Sequence, residues 1–474
     1  MSSAASGSRT DDSPVPVARL PRVTSRSRRP RRRELSRWGP FVVVATLAAL
    51  LMGLHVGAYR PLAVSEPSSV DYVNRLLEGE VPAAGDAWAP GTTEAVACRT
   101  VDRTDRAEGT DRDDRVRARC GESVDPDSLP GQGRNTSFVQ TPLYYLAPAG
   151  AVGISEVIAP ALDDVDAMRA TGALWLVAAL GLMWQLWRSL DVPWQTRAGL
   201  SLALVATPTV LLAQSTVTTA ATALASGAAV VLATLRWDAR RAGIWLPVAT
   251  GVLALLLEAT NLAVVLAGGT FVLFRARQRT AGEPPPRDRW VRALAFVGAL
   301  AAATAVVRIG WSTVSATRAD PGADVVQQPG AMPVDGFDPG WLTKSMQALV
   351  TPLQPESYQS ILAETAVPVI VANLADVGLL VAAVIAGVVS RPASVERALA
   401  VGVGVAALAF GPLLSVLTYL STDTAIQIPA RYGLSLVPGM LAVVGSALRG
   451  RRAGWAVLAV GGLCYVAMAW KVLL

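Results

Sequence analysis

Tyr59-Arg-Pro-Leu-Ala-Val-Ser-Glu-Pro-Ser-Ser-Val-Asp-Tyr72 follows directly on an apolar run, residues 39–58, that carries no acid, lysine or arginine. That run is long enough to cross a bilayer. The quoted stretch is therefore where carboxylates first meet the membrane surface. Glu66 has a proline behind it and Asp71 leads into Asn74-Arg-Leu-Leu77, a pattern that suits a loop turning into a surface helix. An enzyme working at the lipid boundary needs a carboxylate held near the headgroup plane. Glu66 and Asp71 are thus the candidate catalytic residues.

The rest of the chain is read outward from this point. Of 474 residues, 52% are hydrophobic and only 16% charged, with mean hydropathy +0.41. Apolar runs recur from end to end, the mark of an integral membrane protein. Lys and Arg number 42 against 36 Asp and Glu, and only Lys344 and Lys471 are lysines. The arginines lie in short clusters between apolar runs, so nucleic acid is not the expected partner. His55 is the sole histidine and there are three cysteines, which rules out histidine triads and histidine-rich metal centres; no divalent metal is indicated. Residues 1–38 contain Arg28, Arg29, Arg31, Arg32 and Arg33 and read as a disordered cytoplasmic tail that marks topology and touches anionic lipid.

The sequence predicts an all-α integral membrane protein with about eleven transmembrane helices: 39–58, 170–187, 198–213, 216–235, 243–257, 260–274, 290–309, 366–389, 398–420, 432–448 and 453–473. The arginine groups at 236–241, 275–292, 391–397 and 449–452 then share one face, the cytoplasmic one. The amino end is placed inside and the carboxyl end outside. Residues 59–169 form a large first external loop with interfacial helices, 170–309 carry helices two to seven, 310–365 a second external loop, and 366–474 helices eight to eleven. Residues 142–160 are expected to lie along the surface, with Tyr144 and Tyr145 in the aromatic belt; a span there would put later arginines on the wrong side. Cys98 and Cys120 share the first external loop and are expected to pair. Asn135-Thr136-Ser137 fits a glycosylation sequon. Glu258 is expected to cap a helix at a hairpin. Asp376 is the carboxylate that falls within an apolar run.

An arginine at the outer end of a span suits a lipid phosphate, which singles out Arg308 and Arg431. Ser65-Glu-Pro-Ser-Ser-Val-Asp-Tyr72, Thr141-Pro-Leu-Tyr-Tyr145, Arg169, and Arg431-Tyr432 with Pro438 together resemble the GT-C class of polytopic membrane glycosyltransferases. More narrowly, the chain is similar to the bacterial membrane proteins of domain-of-unknown-function family 2142. There the first loop reads Asp-Glu-Pro-x-His, followed by Pro-Pro-x-Tyr-Tyr and later Gly-Arg-Tyr; this chain has Ser65-Glu66 and Ser69 at the first of these. The resemblance implies a bacterial cell-membrane enzyme that transfers a sugar from a polyprenyl-phosphate donor to an envelope acceptor. It implies Glu66 or Asp71 as base and Arg431, Arg308 and Arg169 as lipid-phosphate ligands. Tyr144, Tyr145, Gln427 and Tyr432 would line the substrate pocket. The alternatives are a lipid or envelope-precursor transporter or flippase, and an inactive homologue acting in envelope assembly. Membrane lipids are the implied partners, and no cofactor is called for beyond the donor itself.

Overall fold

The computed structural model describes residues 31–63, 65–99, 120–121, 129–278, 287–319, 331–333, 336, 338–353, 366–422, 424–426 and 428–473. The chain divides at Gly39. The described part of Met1–Gly39 is the start of helix α1 (Arg31–Ala58), and residues 1–30, with most of the arginine-rich tail, lie outside the described residues. Pro40–Leu474 is one unit.

After α1 the chain makes α2 (Glu66–Leu77), α3 (Pro90–Arg99) and α4 (Leu146–Ile158), and then α5 (Asp164–Ser189), α6 (Trp194–Val205), α7 (Pro208–Ser215) and α8 (Ala223–Asp238). There follow α9 (Trp245–Leu257), α10 (Leu262–Arg277), α11 (Arg287–Arg318), α12 (Gly340–Val350), α13 (Ala366–Val389), α14 (Val395–Thr422), α15 (Val437–Ala447) and α16 (Arg451–Leu473). Short 3₁₀ turns at Thr219–Thr222, Ala259–Asn261 and Ala430–Leu436 lead into α8, α10 and α15. Among the described residues the named strands are β1 (Ala331–Pro333) and β2 (Thr424–Ile426), antiparallel with Met332 opposite Ala425.

Among the described residues seven helices are long and apolar enough to cross a membrane, which makes this a multi-pass membrane protein. A helix stands at each of the eleven expected segments. The third is broken: α6 and α7 meet at 69°, because Pro208 lacks the N–H that a continuous helix needs. Helix α4 has 13 residues, about 20 Å, too short to cross alone. Its outward residues are nonetheless apolar, with Ile154 61% and Val157 82% exposed. The region 310–365 is not all loop, since α11 runs on to Arg318 and α12 packs against α14.

Helix α8, with its leading turn, is the buried axis of the bundle: 89% of its apolar window is enclosed. Close helix approach elsewhere rests on missing side chains. A methyl on Gly461 would lie 2.1 Å from the carbonyl oxygen of Gly199, and one on Gly199 would lie 2.4 Å from that of Val457. These two glycines let α6 and α16 touch backbone to backbone, as small residues do between membrane helices. At one end of the bundle the arginine groups gather. Arg275 bonds Asp238 at 3.2 Å and the Ala393 carbonyl at 2.8 Å, and Arg449 meets Glu396 at 2.6 Å. The opposite end carries a packed cap made from the described residues between 59 and 163 and the tight turns of the bundle.

Candidate functional site

The cap is built around carboxylates whose lone pairs are all used. Ser65 precedes α2, and Pro67 at its first turn presets the helical φ. This directs the Glu66 side chain inward, where it is 0% exposed. Its Oε1 accepts from Arg169 Nε (2.8 Å) and the Val217 amide (2.9 Å). Its Oε2 accepts from Arg169 Nη2 (2.8 Å) and the Ala63 amide (3.0 Å). Arg169 also donates to the carbonyls of Tyr59 (2.6 Å) and Pro61 (2.7 Å). Four acceptor sites on a carboxylate and four donors here make a closed set. Residues more than a hundred apart in sequence are thereby locked together, with α5 and the 216–219 turn pinned to the start of the cap.

Asp71 has the same completeness and 0% exposure. Its Oδ1 accepts from the Ala89 amide (2.5 Å) and Thr92 Oγ1 (3.2 Å), and its Oδ2 from Arg75 Nε (3.1 Å) and Asn135 Nδ2 (2.7 Å). Asn135 also donates to the Ser68 carbonyl at 3.1 Å and is 1% exposed. The sequon asparagine is thus a structural link with no free amide to offer a sugar. Cys98 and Cys120 form a disulfide. Beside it Arg99 reaches Asp163 (2.7 Å) and Asp166 (3.0 Å), tying α3 to the head of α5.

Tyr144 and Tyr145 do not lie at the lipid interface. They are 1% and 0% exposed, so they stand inside the cap and not in an aromatic belt. Tyr145 stacks on Tyr72 with centroids 4.0 Å apart and takes Tyr144 edge-on at 5.0 Å. Tyr145 donates to Gln140 Oε1, and Tyr72 donates to the Gln140 carbonyl at 3.1 Å. Burial pushes all three phenols above their ordinary pKa, which keeps them neutral packing groups. Proline 142 before the tyrosines, and the helix start after them, turn both rings toward α2.

A different carboxylate sits at the edge of this cap. Helix α9 ends at Leu257, and Glu258 turns extended at φ −159°. Its Oε1 accepts from the Thr260 amide and hydroxyl, both at 3.2 Å, so it caps the next turn; its Oε2 accepts from Thr219 Oγ1. It is 9% exposed. Burial raises its pKa above the usual carboxylate value, while the Thr260 bonds and the cations of Arg431 and Arg308 pull the other way. Arg431 is half-buried on the 3₁₀ turn Ala430–Leu436, its guanidinium 6.0 Å from the Tyr432 ring centroid. Arg308 is exposed on α11. The packing of α11 against the bundle ends at Leu300; beyond it the helix is exposed or half-exposed, with Val306 72% and Ile309 65% open. It rejoins the cap through Trp311 Nε1, which donates to the Val139 carbonyl at 2.9 Å, and through Arg318, which donates to the Val81 carbonyl.

The 3₁₀ turn that follows Glu258 packs against the turn bearing Arg431 and Tyr432, and Glu258, a carboxylate the sequence singles out only as a helix cap, lies in the field of Arg431 and Arg308. The structure sets Glu66, Asp71 and Arg169 apart as an internal framework, so Arg169 is committed to Glu66 and is not a spare phosphate ligand. Gln427 and Asp423 lie outside the described residues, as does the side chain of Asp376. The signal for Glu258 was available in the sequence: an acid flanked by two apolar runs, in a turn with a second threonine-rich turn to meet it. Among the described residues no group of three or more His, Cys, Asp or Glu gathers to hold a metal. No protein-family model, curated protein or solved structure matches the chain.

Proposed function

We propose that the protein is a GT-C-like membrane glycosyltransferase of the bacterial cell envelope, acting at the outer face on a polyprenyl-phosphate sugar. The observation that supports this reading is a buried carboxyl, Glu258, beside a turn that packs against the turn bearing Arg431, with Arg308 also acting on its charge, at the end of the bundle opposite the arginine clusters. In this reading all eleven helical segments cross or enter the bilayer, and the arginine end faces the cytosol by the positive-inside rule. The exposed half of α11 beyond Leu300 then faces lipid, where a prenyl chain would lie.

Sugar transfer of this kind needs a base and a cationic clamp. Glu258 takes the proton from the acceptor hydroxyl. The acceptor oxygen attacks the anomeric carbon from the face opposite the phosphate, and the bond from that carbon to the phosphate oxygen breaks. The electron pair leaves with polyprenyl phosphate, whose charge Arg431 and Arg308 hold, and the anomeric centre inverts. A carboxyl raised by burial is closer to the pH at which a base works best. The closed sets around Glu66 and Asp71 favour a second reading, an envelope-assembly protein without catalysis, because the resemblance places the base at Glu66.

The discriminating experiment follows transfer of labelled sugar from a polyprenyl-phosphate donor by membranes containing the wild-type chain, Glu258→Gln, Arg431→Ala or Glu66→Gln. Loss of at least a hundredfold in Glu258→Gln, with normal protein amount, is expected of a general base. Transfer unchanged in Glu258→Gln would remove Glu258 from the mechanism, and no transfer by wild type with a panel of donors would favour the assembly reading.

A further inference from the structure

At the arginine-bearing end, α8, α10 and the start of α11 border an open recess of about 240 Å³. Arg240, Arg275, Arg289 and Arg292 line it, together with Asp238 and Trp237. Among the described residues four arginines and one carboxylate line it. Arg275 supplies the frame: besides Asp238 and the Ala393 carbonyl it donates to Gln278 Oε1 at 2.7 Å. Arg292 lies over the Trp237 ring at 5.0 Å from its centroid, and that ring stacks on Phe296 at 4.6 Å. One guanidinium is thus fixed on an aromatic shelf within the recess.

Arg240 adds an independent sign. It closes α8 in the left-handed region at φ 55°, where its amide donates to the Trp237 carbonyl at 2.9 Å. Glycine fills such helix ends at least conformational cost, and a residue with a Cβ pays roughly 1 kcal/mol or more there. The backbone strain is tolerated at a position whose side chain lines the recess. A topology signal asks only for positive charge near the helix ends. It does not ask for a concave cluster, an aromatic shelf or an arginine at a glycine position.

We propose that this recess binds the phosphate of an anionic phospholipid headgroup from the adjoining leaflet. Guanidinium forks match phosphate oxygens in geometry and charge. The lipid source is favoured over a soluble phosphate by the rim. Directly beside the recess α11 presents Trp290 (40% exposed), Val291 (58%) and Leu294 (59%), an apolar strip on which acyl chains would lie below a headgroup-level tryptophan.

The test uses the full-length purified protein in nanodiscs, with native mass spectrometry and thermal melting in phosphatidylcholine alone and with added phosphatidylglycerol or cardiolipin. Wild type is expected to retain anionic lipid and to melt higher with it. Arg240→Gly and Arg292→Gln should each weaken retention about fivefold, following roughly 1 kcal/mol per surface arginine. Arg277→Gln, the same charge change at an exposed position off the recess, should leave retention at the wild-type level. Equal losses in all three variants would reduce the effect to general charge and overturn the proposal. Inorganic phosphate in the phosphatidylcholine arm separates the sources: stabilisation by phosphate with none from anionic lipid would overturn the lipid assignment. Should Arg292→Gln fail to fold, Arg240→Gly still decides, since it relieves backbone strain while removing a guanidinium.

Discussion

Two carboxylates of the same type carry opposite stability signatures. Glu66 is matched by four donors, two of them on Arg169, whose side chain is itself 0% exposed. Replacing Glu66 with alanine leaves Arg169 buried and uncompensated, which costs about 3–5 kcal/mol. The expected result is a large fall in melting temperature in detergent for Glu66→Ala and Arg169→Leu singly, with their losses strongly non-additive in the double variant. Additive losses would show that the pair is not coupled. Glu258 behaves in reverse. Its folded pKa lies above the unfolded value because burial opposes the charge. The folded state then holds its proton more tightly than the unfolded chain, so stability falls as pH rises through and above the ordinary carboxylate range. Glu258→Gln, which keeps an acceptor for Thr260, should melt no lower than wild type at pH 7 to 8, with any advantage shrinking toward pH 5. A melt below wild type at neutral pH would show that the charge is stabilising. Transfer by the wild type should rise with pH as Glu258 loses its proton.

Among the helices and turns, the cap depends on cross-links and the bundle on close contact. The Cys98–Cys120 disulfide closes a separation of 22 residues, for which loop-closure entropy gives about 3 kcal/mol. Cys98→Ser is expected to lower the melting temperature and to increase protease nicking within 100–119, read by mass mapping. An unchanged nicking pattern would mean the loop is held by its other contacts. Between α6 and α16, Gly461→Val places a side chain where a carbonyl stands 2.1 Å away. Overpacking of that order costs about 1–3 kcal/mol and often more. The melting temperature of Gly461→Val should fall, and that of Gly462→Val, at a glycine with open space, should not. The proline between α6 and α7 shows the opposite device, a break inserted where the chain must bend.

At the scale of the whole molecule, two ends of different chemistry face each other across an apolar bundle. The end rich in arginine is built from helix termini and short loops. The other is a folded cap with its own aromatic core, sealed by Glu66, Asp71 and a disulfide. Impermeant thiol labelling on intact cells checks the orientation: a cysteine at Glu156 on α4 should label from outside, and one at Gly243 before α9 only after permeabilisation. The reverse pattern would place Glu258 at the cytosolic face and end the proposed outer-face chemistry.

Hydropathy by itself determined that this is a helical multi-pass membrane protein and where eleven of its helical stretches run, and the shared loop determined that Cys98 and Cys120 pair. These properties depend on local composition: a run of apolar residues must leave water, and two thiols in one polar loop have few other partners. The site was legible only as a set of candidates on one side. Which carboxylate is locked to an arginine and which is held by threonines alone depends on Arg169, Val217, Asn135 and Thr219 arriving from far along the chain. The same distant packing took Tyr144 and Tyr145 out of the interface and into the cap. Burial and hydrogen-bond completeness are properties of the assembled interior, and no local pattern around Glu66 or Glu258 records them.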